Sequence, residues 1–344
     1  MTSGRLEPEN LSGEARHVPV LLKEVIAALD VREGGVYFDG TFGAGGYSSA
    51  ILALGGLVIG VDRDPLAIAR GQSVVDGAQG RLRLVEGRFG EIGTILAEFT
   101  AMPLAGAVFD IGVSSMQLDE AERGFSFRHD APLDMRMSAS GRTAADILLE
   151  EDEETIANIL FHYGEERASR RIARAVVVDR VTQPYVSTLQ LAQMIERVAP
   201  ARPGELTHAA TRSFQALRIA VNDELGELLR GVIGAEAALA GGGRLAVVTF
   251  HSLEDRIVKQ FFARRSGRGQ APSRLLPGEP VAPPPTFAAP AGQPIIAGEA
   301  ERRDNPRSRS AKLRFAIRTD APPRGADDDL ARLTQLPRLR PRRG

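Results

Sequence analysis

Residues 36–64, VYFDGTFGAGGYSSAILALGGLVIGVDRD, constrain the fold more than any other stretch of the chain. An apolar run from Val36 to Phe38 enters a glycine-rich turn, a short helix follows, and a second apolar run ends on Asp62. That order is the first half of a doubly wound α/β sheet, whose ligands bind at the carboxyl ends of the strands. Gly40, Gly43, Gly45 and Gly46 let the backbone turn sharply and approach a ligand closely. A carboxylate at the next strand end suits the two hydroxyls of a ribose, so the loop and Asp62 together point to an adenosine-type cofactor. A dinucleotide fingerprint starting at Gly43 needs glycine at position 48, which is Ser48. The loop therefore suits S-adenosylmethionine better than NAD.

The α/β rhythm continues from there. Leu22, Val25, Ile26 and Leu29 share one face of a helix that precedes the first strand. Strands are expected at 36–39, 57–62, 82–86 and 106–111, with helices near 65–76 and 90–99. After FDIGVSS the alternation stops, and residues 118–210 read as an inserted helical domain. Within it, the acidic run EEDEE at 150–154 suits the opening turn of a helix. A helix over 212–230, striped by Phe214, Leu217, Val221, Leu225 and Leu228, returns the chain to the sheet before a strand at 244–250. The core thus comprises 1–117 and 211–318. Residues 266–292, rich in Gly, Pro and Ala, are expected to form a flexible excursion. Segments 294–298 and 311–318 are expected to form a closing hairpin, and 319–344 a disordered basic tail.

Composition removes several chemistries. The chain has no cysteine, which excludes disulfides, thiolate metal sites and the cysteine adduct used for methylation at C5 of a pyrimidine. Its five histidines form no HxxxH pair, so no metal is expected. No apolar run reaches the roughly 20 residues that span a bilayer, and residues 1–16 do not resemble a signal peptide, so the expected setting is the cytoplasm, away from membranes. Residues 1–255 hold 24 basic and 36 acidic side chains, whereas 256–344 hold 19 and 8. Forty of the 43 basic residues are arginine, the residue suited to forked contacts with phosphate, and RNA is the expected partner.

Candidate site residues fall in loops after the strands. Phe89 is placed to cover an adenine. Asp110 closes the fourth strand beside the reacting centre or caps the turn that follows, with Gln117 and Asp119 beyond it. Asp134 and Arg136 in PLDMRM read equally as site residues or as a salt bridge. Arg212, Gln215, Arg218 and Asn222 form a polar set on the returning helix that packing does not explain. FHSLEDR places His251, Ser252, Glu254, Asp255 and Arg256 at a strand-to-helix junction, where Ser252 reads as a helix cap.

Taken together, HVPVLLKEV, DGTFGAGGYS, GVDRDP, FDIGVSSMQLD, RGFSF, PLDMRM, YGEE, TRSFQALRIAVNDEL, FHSLEDRIVK and NPRSRSAKLR resemble the bacterial small-subunit (16S) ribosomal RNA cytosine-N4 methyltransferase family, over about residues 17–318. The resemblance implies a Rossmann-like class I S-adenosylmethionine-dependent methyltransferase sheet with an inserted helical domain. It implies a decoding-centre cytidine of 16S rRNA, within the small ribosomal subunit, as substrate. Cofactor contacts are implied for Gly45, Gly46, Tyr47, Asp62, Phe89, Asp110 and Gln117; members often carry histidine where this chain has Tyr47.

The expected chemistry is in-line transfer of a methyl group to N4 with no covalent enzyme intermediate. Acceptors must rotate or polarise the amine, and Asp110, Ser114, Asp134 and His251 are the candidates, with no general base assigned. The chain is free to act as a homodimer. Two rival readings remain open from the residues: a ribose 2′-O-methyltransferase, which the presence of only Lys23, Lys259 and Lys312 disfavours, and a noncatalytic RNA-binding assembly factor. A third, an NAD-dependent oxidoreductase, is opposed by Ser48.

Overall fold

The computed structural model describes residues 19–99, 103–112, 117, 120–201, 204, 207–268 and 283–336. Helix α1 (Leu22–Leu29), β1 (Val36–Asp39), α2 (Gly46–Ala53), β2 (Leu57–Asp62), α3 (Pro65–Gly77), β3 (Leu82–Glu86), α4 (Ile92–Ala97) and β4 (Leu104–Asp110) alternate along the chain. Strand β1 lies between β2 and β4 and parallel to both, so the chain winds outward to β3 and then returns across β1. The reversal opens a crevice at the carboxyl ends of β1 and β4. Strand β5 (Leu239–Thr249) extends the parallel set, and β8 (Lys312–Arg318) pairs antiparallel with it. Two short strands, β6 (Phe287–Ala288) and β7 (Ile295–Ile296), pair antiparallel with β8. The order β3-β2-β1-β4-β5-β8-β6 is the expected Rossmann-like α/β sheet.

Alternation of side chains along the strands supplies a core on each face. Phe38, Val61 and Phe109 pack with Ile92, Leu228, Val232, Ile257 and Phe261, from α4, α10 (Glu224–Ala238) and α11 (Ser252–Arg265). Tyr37, Val58, Val108 and Val248 pack on the other face with Val25 and Leu29 of α1 and Ile51 of α2.

A third cluster holds the helical lobe, formed by α5 (Ala144–Glu150), α6 (Glu153–Gly164), α7 (Ser169–Asp179), α8 (Thr188–Val198) and α9 (Thr211–Asn222). Local chemistry sets their starts. Thr143 and Ser187 form reciprocal caps with Asp146 and Gln190, and Asp152 caps α6 ahead of Glu153 and Glu154.

The structure departs from the sequence reading in five places. The helix expected over 212–230 is broken at Asp223, whose φ of 49° is left-handed, so α9 and α10 are separate helices. Phe214 and Leu217 of α9 belong to the helical cluster and Ile219 to the sheet cluster, so the boundary drawn before residue 211 runs instead through α9. Strand β5 starts at Leu239, ahead of the expected Arg244. In the excursion expected over 266–292, Phe287 is fully buried with ring centroids 5.8 Å from Phe261 and 5.7 Å from Phe262, while 269–282 lie outside the described residues.

The last departure is the tail. Residues 319–336 fold back on the body instead of being disordered. Leu330 in α12 (Asp328–Ala331) is fully buried, Asp327 pairs with Arg264 at 2.8 Å, and the Tyr163 hydroxyl donates to the Thr334 carbonyl at 3.1 Å. Residues 337–344 lie outside the described residues. No described helix is long and apolar enough to cross a membrane.

Candidate functional site

A cleft of about 470 Å3 opens at the carboxyl edge of the sheet. The strand-end segments singled out in the sequence meet there: Gly43 and Tyr47 after β1, Asp62 of β2, Phe89 after β3, Asp110 of β4 and His251 after β5. Phe125, Phe127, Phe214 and Gln215 of the helical lobe close the opposite wall, so the cleft lies between the two bodies.

One half of the cleft is a glycine cradle beside an acid. Gly45 has φ 76°, and a Cβ there would stand 2.7 Å from the Phe42 ring. It shapes the turn, whereas Gly43, Ala44 and Gly46 form the wall. A Cβ on Gly46 would collide with the Pro19 ring. Asp62 holds the turn by accepting from Gly43 N at 2.8 Å and Asp64 N at 2.9 Å, and each oxygen keeps a further lone pair for a ribose hydroxyl. Burial raises its pKa above the ordinary carboxylate value. Phe89 is buried with one face against Phe109, centroids 4.9 Å apart. Gln117, also buried, donates to Asp64 at 3.0 Å, and Arg123 reaches the same oxygen at 2.9 Å, tying the cofactor loop to the helical lobe. These residues could hold an adenosine-type cofactor.

The other half gathers polar atoms that the protein does not satisfy. The Asp110 backbone N–H is bonded to Thr41 Oγ1 at 2.7 Å, but its carboxylate Oδ1 is sealed from solvent with no hydrogen-bond partner. Desolvation, then the charges of Asp39 and Glu254, push its pKa up to about 8, against the pull of the Tyr47 hydroxyl beside it. Tyr47 is itself buried and donates to the Val20 carbonyl, so its side chain bolts the entrance segment to the cleft. Asp39, bonded by Ser48 at 2.6 Å, is raised to about 6, chiefly by burial.

His251 caps α11, its Nδ1 accepting from Glu254 N while Glu254 Oε2 accepts from Phe250 N and His251 N. His251, not Ser252, is therefore the cap. Its Nε2 stands 2.8 Å from Glu254 Oε1 but off the ring N–H direction, so both buried atoms lack a hydrogen bond. Glu224 completes a group whose ligand atoms lie within 4.8 Å of one another, yet both its oxygens are held by Arg218 at 2.9 Å.

Other expectations are corrected or fall elsewhere. Asp134 makes a two-pronged pair with Arg136 at 2.7 and 2.8 Å and does not line the cleft, so the salt-bridge reading holds and it is removed from the reacting set. Asn222 binds the backbone of Met135 and Met137 and anchors the segment that follows Asp134. Ser114 and Asp119 lie outside the described residues. Gln215 and Arg218 of the polar set on the returning helix line the cleft, whereas Thr41 and Glu224 were missed as cleft residues. The HSLE spacing was the available signal for the His251–Glu254 cap, although histidine is an unusual residue in that position.

The chain matches a family model described as the MraW methylase family over residues 14–319. It is 58% identical over 340 residues to a ribosomal RNA small subunit methyltransferase H of Methylocella silvestris, covering 98% of each chain. It is 57% identical over 340 residues to the protein of the same name from Beijerinckia indica, covering 98% of this chain and 96% of that one. A solved structure described as a putative rRNA-methylase from Clostridium thermocellum aligns over 87% of this chain and 97% of that one, with 12% identity and a TM-score of 0.40. On the sequence matches, which run nearly end to end, the chain belongs to the MraW methylase family.

Proposed function

We propose that the chain is an S-adenosylmethionine-dependent methyltransferase of small-subunit (16S) ribosomal RNA that modifies the N4 amine of a decoding-centre cytidine. Its relatives carry the name of a small-subunit rRNA methyltransferase. The observation that carries the finer reading is Asp110 at the end of β4, which lines the cleft beside His251 and whose carboxylate Oδ1 has no hydrogen-bond partner. A buried polar group left without a partner costs about 1–3 kcal/mol, so a substrate N–H that reaches the Asp110 carboxylate recovers that cost. An exocyclic amine offers two N–H groups to such a site, a ribose hydroxyl only one O–H. None of the three lysines lines the cleft, and Lys312 is engaged with Asp255 at 3.3 Å, which disfavours the ribose reaction.

The glycine cradle and Asp62 fit the adenosine end of the cofactor. Bound there, S-adenosylmethionine supplies an electrophilic methyl group on a cationic sulfonium. A cation in the cleft favours the ionised form of Asp110, which then accepts an N4–H and turns the amine lone pair out of conjugation with the ring. Asp110 would hold the amine toward the methyl group that the cofactor would supply to N4, and the proton shed by the methylated amine would leave to Asp110 or water. Phe125, Phe127 and Phe214 give a flipped base an apolar wall.

Incubating the protein with small subunits that lack the modification and with S-adenosylmethionine labelled in the methyl group tests the reading. Label in 16S rRNA supports it. Label confined to protein, or absent with a competent cofactor and substrate, refutes it.

A further inference from the structure

The helical lobe carries a second cavity, of about 400 Å3, beside the catalytic cleft. Along α9, Thr211 and Phe214 face the cleft while Arg212 faces the second cavity. The Phe127 ring of the cleft wall stacks on His208 of the cavity wall, with centroids 4.7 Å apart. The cavity is lined by Arg167 and Arg171 as well, and Glu166, the one acid among its described lining residues, is buried with an oxygen taken by Ala168 N at 2.8 Å.

Most arginines near the cleft are matched to a carboxylate: Arg123 with Asp64, Arg136 with Asp134, Arg218 with Glu224. Arg167 and Arg171 are exposed and have no ion pair among the described residues. Arg170 and Arg174, exposed on the same helix, likewise have none. They crowd the start of α7, whose first turn has no side-chain cap, so guanidinium charge adds to the positive end of the helix. Like charges gathered around a cavity repel, and an anionic ligand relieves that repulsion. Forked guanidinium donors match phosphate oxygens.

We propose that Arg167 and Arg171, at the cavity wall, form a subsite for a backbone phosphate of the RNA strand whose target nucleotide enters the cleft. The inference rests on the RNA substrate argued above. A flipped base carries its own sugar into the cleft and leaves the flanking backbone outside it, and the second cavity shares α9 and the Phe127–His208 stack with the cleft wall. Phosphate contacts fix register without reading sequence, which is the function of a subsite at this position.

The test is equilibrium binding of a fluorescent single-stranded RNA bearing the target cytidine, over a range of salt, together with methyl transfer to small subunits. Arg167→Gln/Arg171→Gln removes the contacts to one phosphate, so the slope of log K against log salt becomes shallower by about 0.7 and binding at 0.1 M salt weakens roughly 5-fold. KM for subunits rises while kcat and cofactor affinity stay at wild-type values. The control Arg32→Gln/Arg83→Gln, exposed at the amino ends of β1 and β3 on the sheet edge opposite the cleft, removes the same charge and leaves the slope intact. A wild-type slope in the Arg167/Arg171 variant overturns the subsite even when the wild type methylates normally. A lost slope in a protein that transfers no methyl supports the subsite and refutes the enzymatic reading. Weakened binding to subunits with full affinity for the naked RNA assigns the cavity to a protein of the particle and overturns the proposal.

Discussion

Replacing Asp110 with asparagine keeps the shape of the side chain and removes its titration. The folded carboxyl group has a pKa of about 8, against an ordinary 3.8, because burial and the neighbouring acids disfavour its charge. The residue retains some exposure toward the cleft, but Oδ1 itself is sealed. Between those two values the native state holds a proton that the unfolded chain releases, so the stability from this group is complete below about pH 4 and falls as pH rises toward 8. Each unit carries roughly 1.4 kcal/mol, and the whole span about 5–6 kcal/mol at most. Asp110→Asn therefore gains stability relative to the wild type by about 1.4 kcal/mol per unit between pH 5 and pH 7, levelling off above 8. Urea unfolding of both proteins across that range measures the difference. Parallel stability curves would show that Asp110 is ionised in the folded protein and would refute the electrostatic picture of the cleft.

Three further outcomes follow from the same geometry. Binding of S-adenosylmethionine drives release of up to one proton near pH 7.5, because a sulfonium favours ionised Asp110; the neutral thioether product does not, and calorimetry in buffers of different ionisation enthalpy separates them, equal proton release being the contrary result. Asp62→Ala weakens cofactor binding roughly 100-fold by removing two charge-assisted acceptors, measured by titration, and an unaltered Kd would place the ribose elsewhere. Leu330→Ala lowers unfolding free energy by about 3 kcal/mol, since its side chain is fully buried; a change within the error of urea unfolding would mean that the folded-back tail adds nothing to the core.

The first half of the sheet was legible because each strand there is a short apolar run bounded by glycine or acid, and because the order of elements admits few topologies. The cofactor half of the cleft was legible for the same reason: glycines and Asp62 sit at strand ends, where the fold itself brings them together. What escaped depends on long-range contacts. Asp223 adopts a left-handed conformation inside NDEL, a run that by itself suits an unbroken helix. Leu330 lies among charged residues in a segment whose composition suggests disorder, and only its fit against the sheet core reverses that. Asp134 was ambiguous because a carboxylate two residues from an arginine fits a site or a salt bridge equally, and the fold selects the salt bridge. The unpartnered oxygen of Asp110 could not be read from a motif, because it depends on what fails to reach it.

The central claim concerns which atom receives the methyl group, and nucleoside mass spectrometry of 16S rRNA from the transfer reaction tests it most directly. Transfer to the amine yields a nucleoside whose added 14 mass units stay with the base fragment, at one cytidine, matching authentic N4-methylcytidine. Added mass on the ribose fragment would contradict the claim and move the reaction to the 2′-hydroxyl.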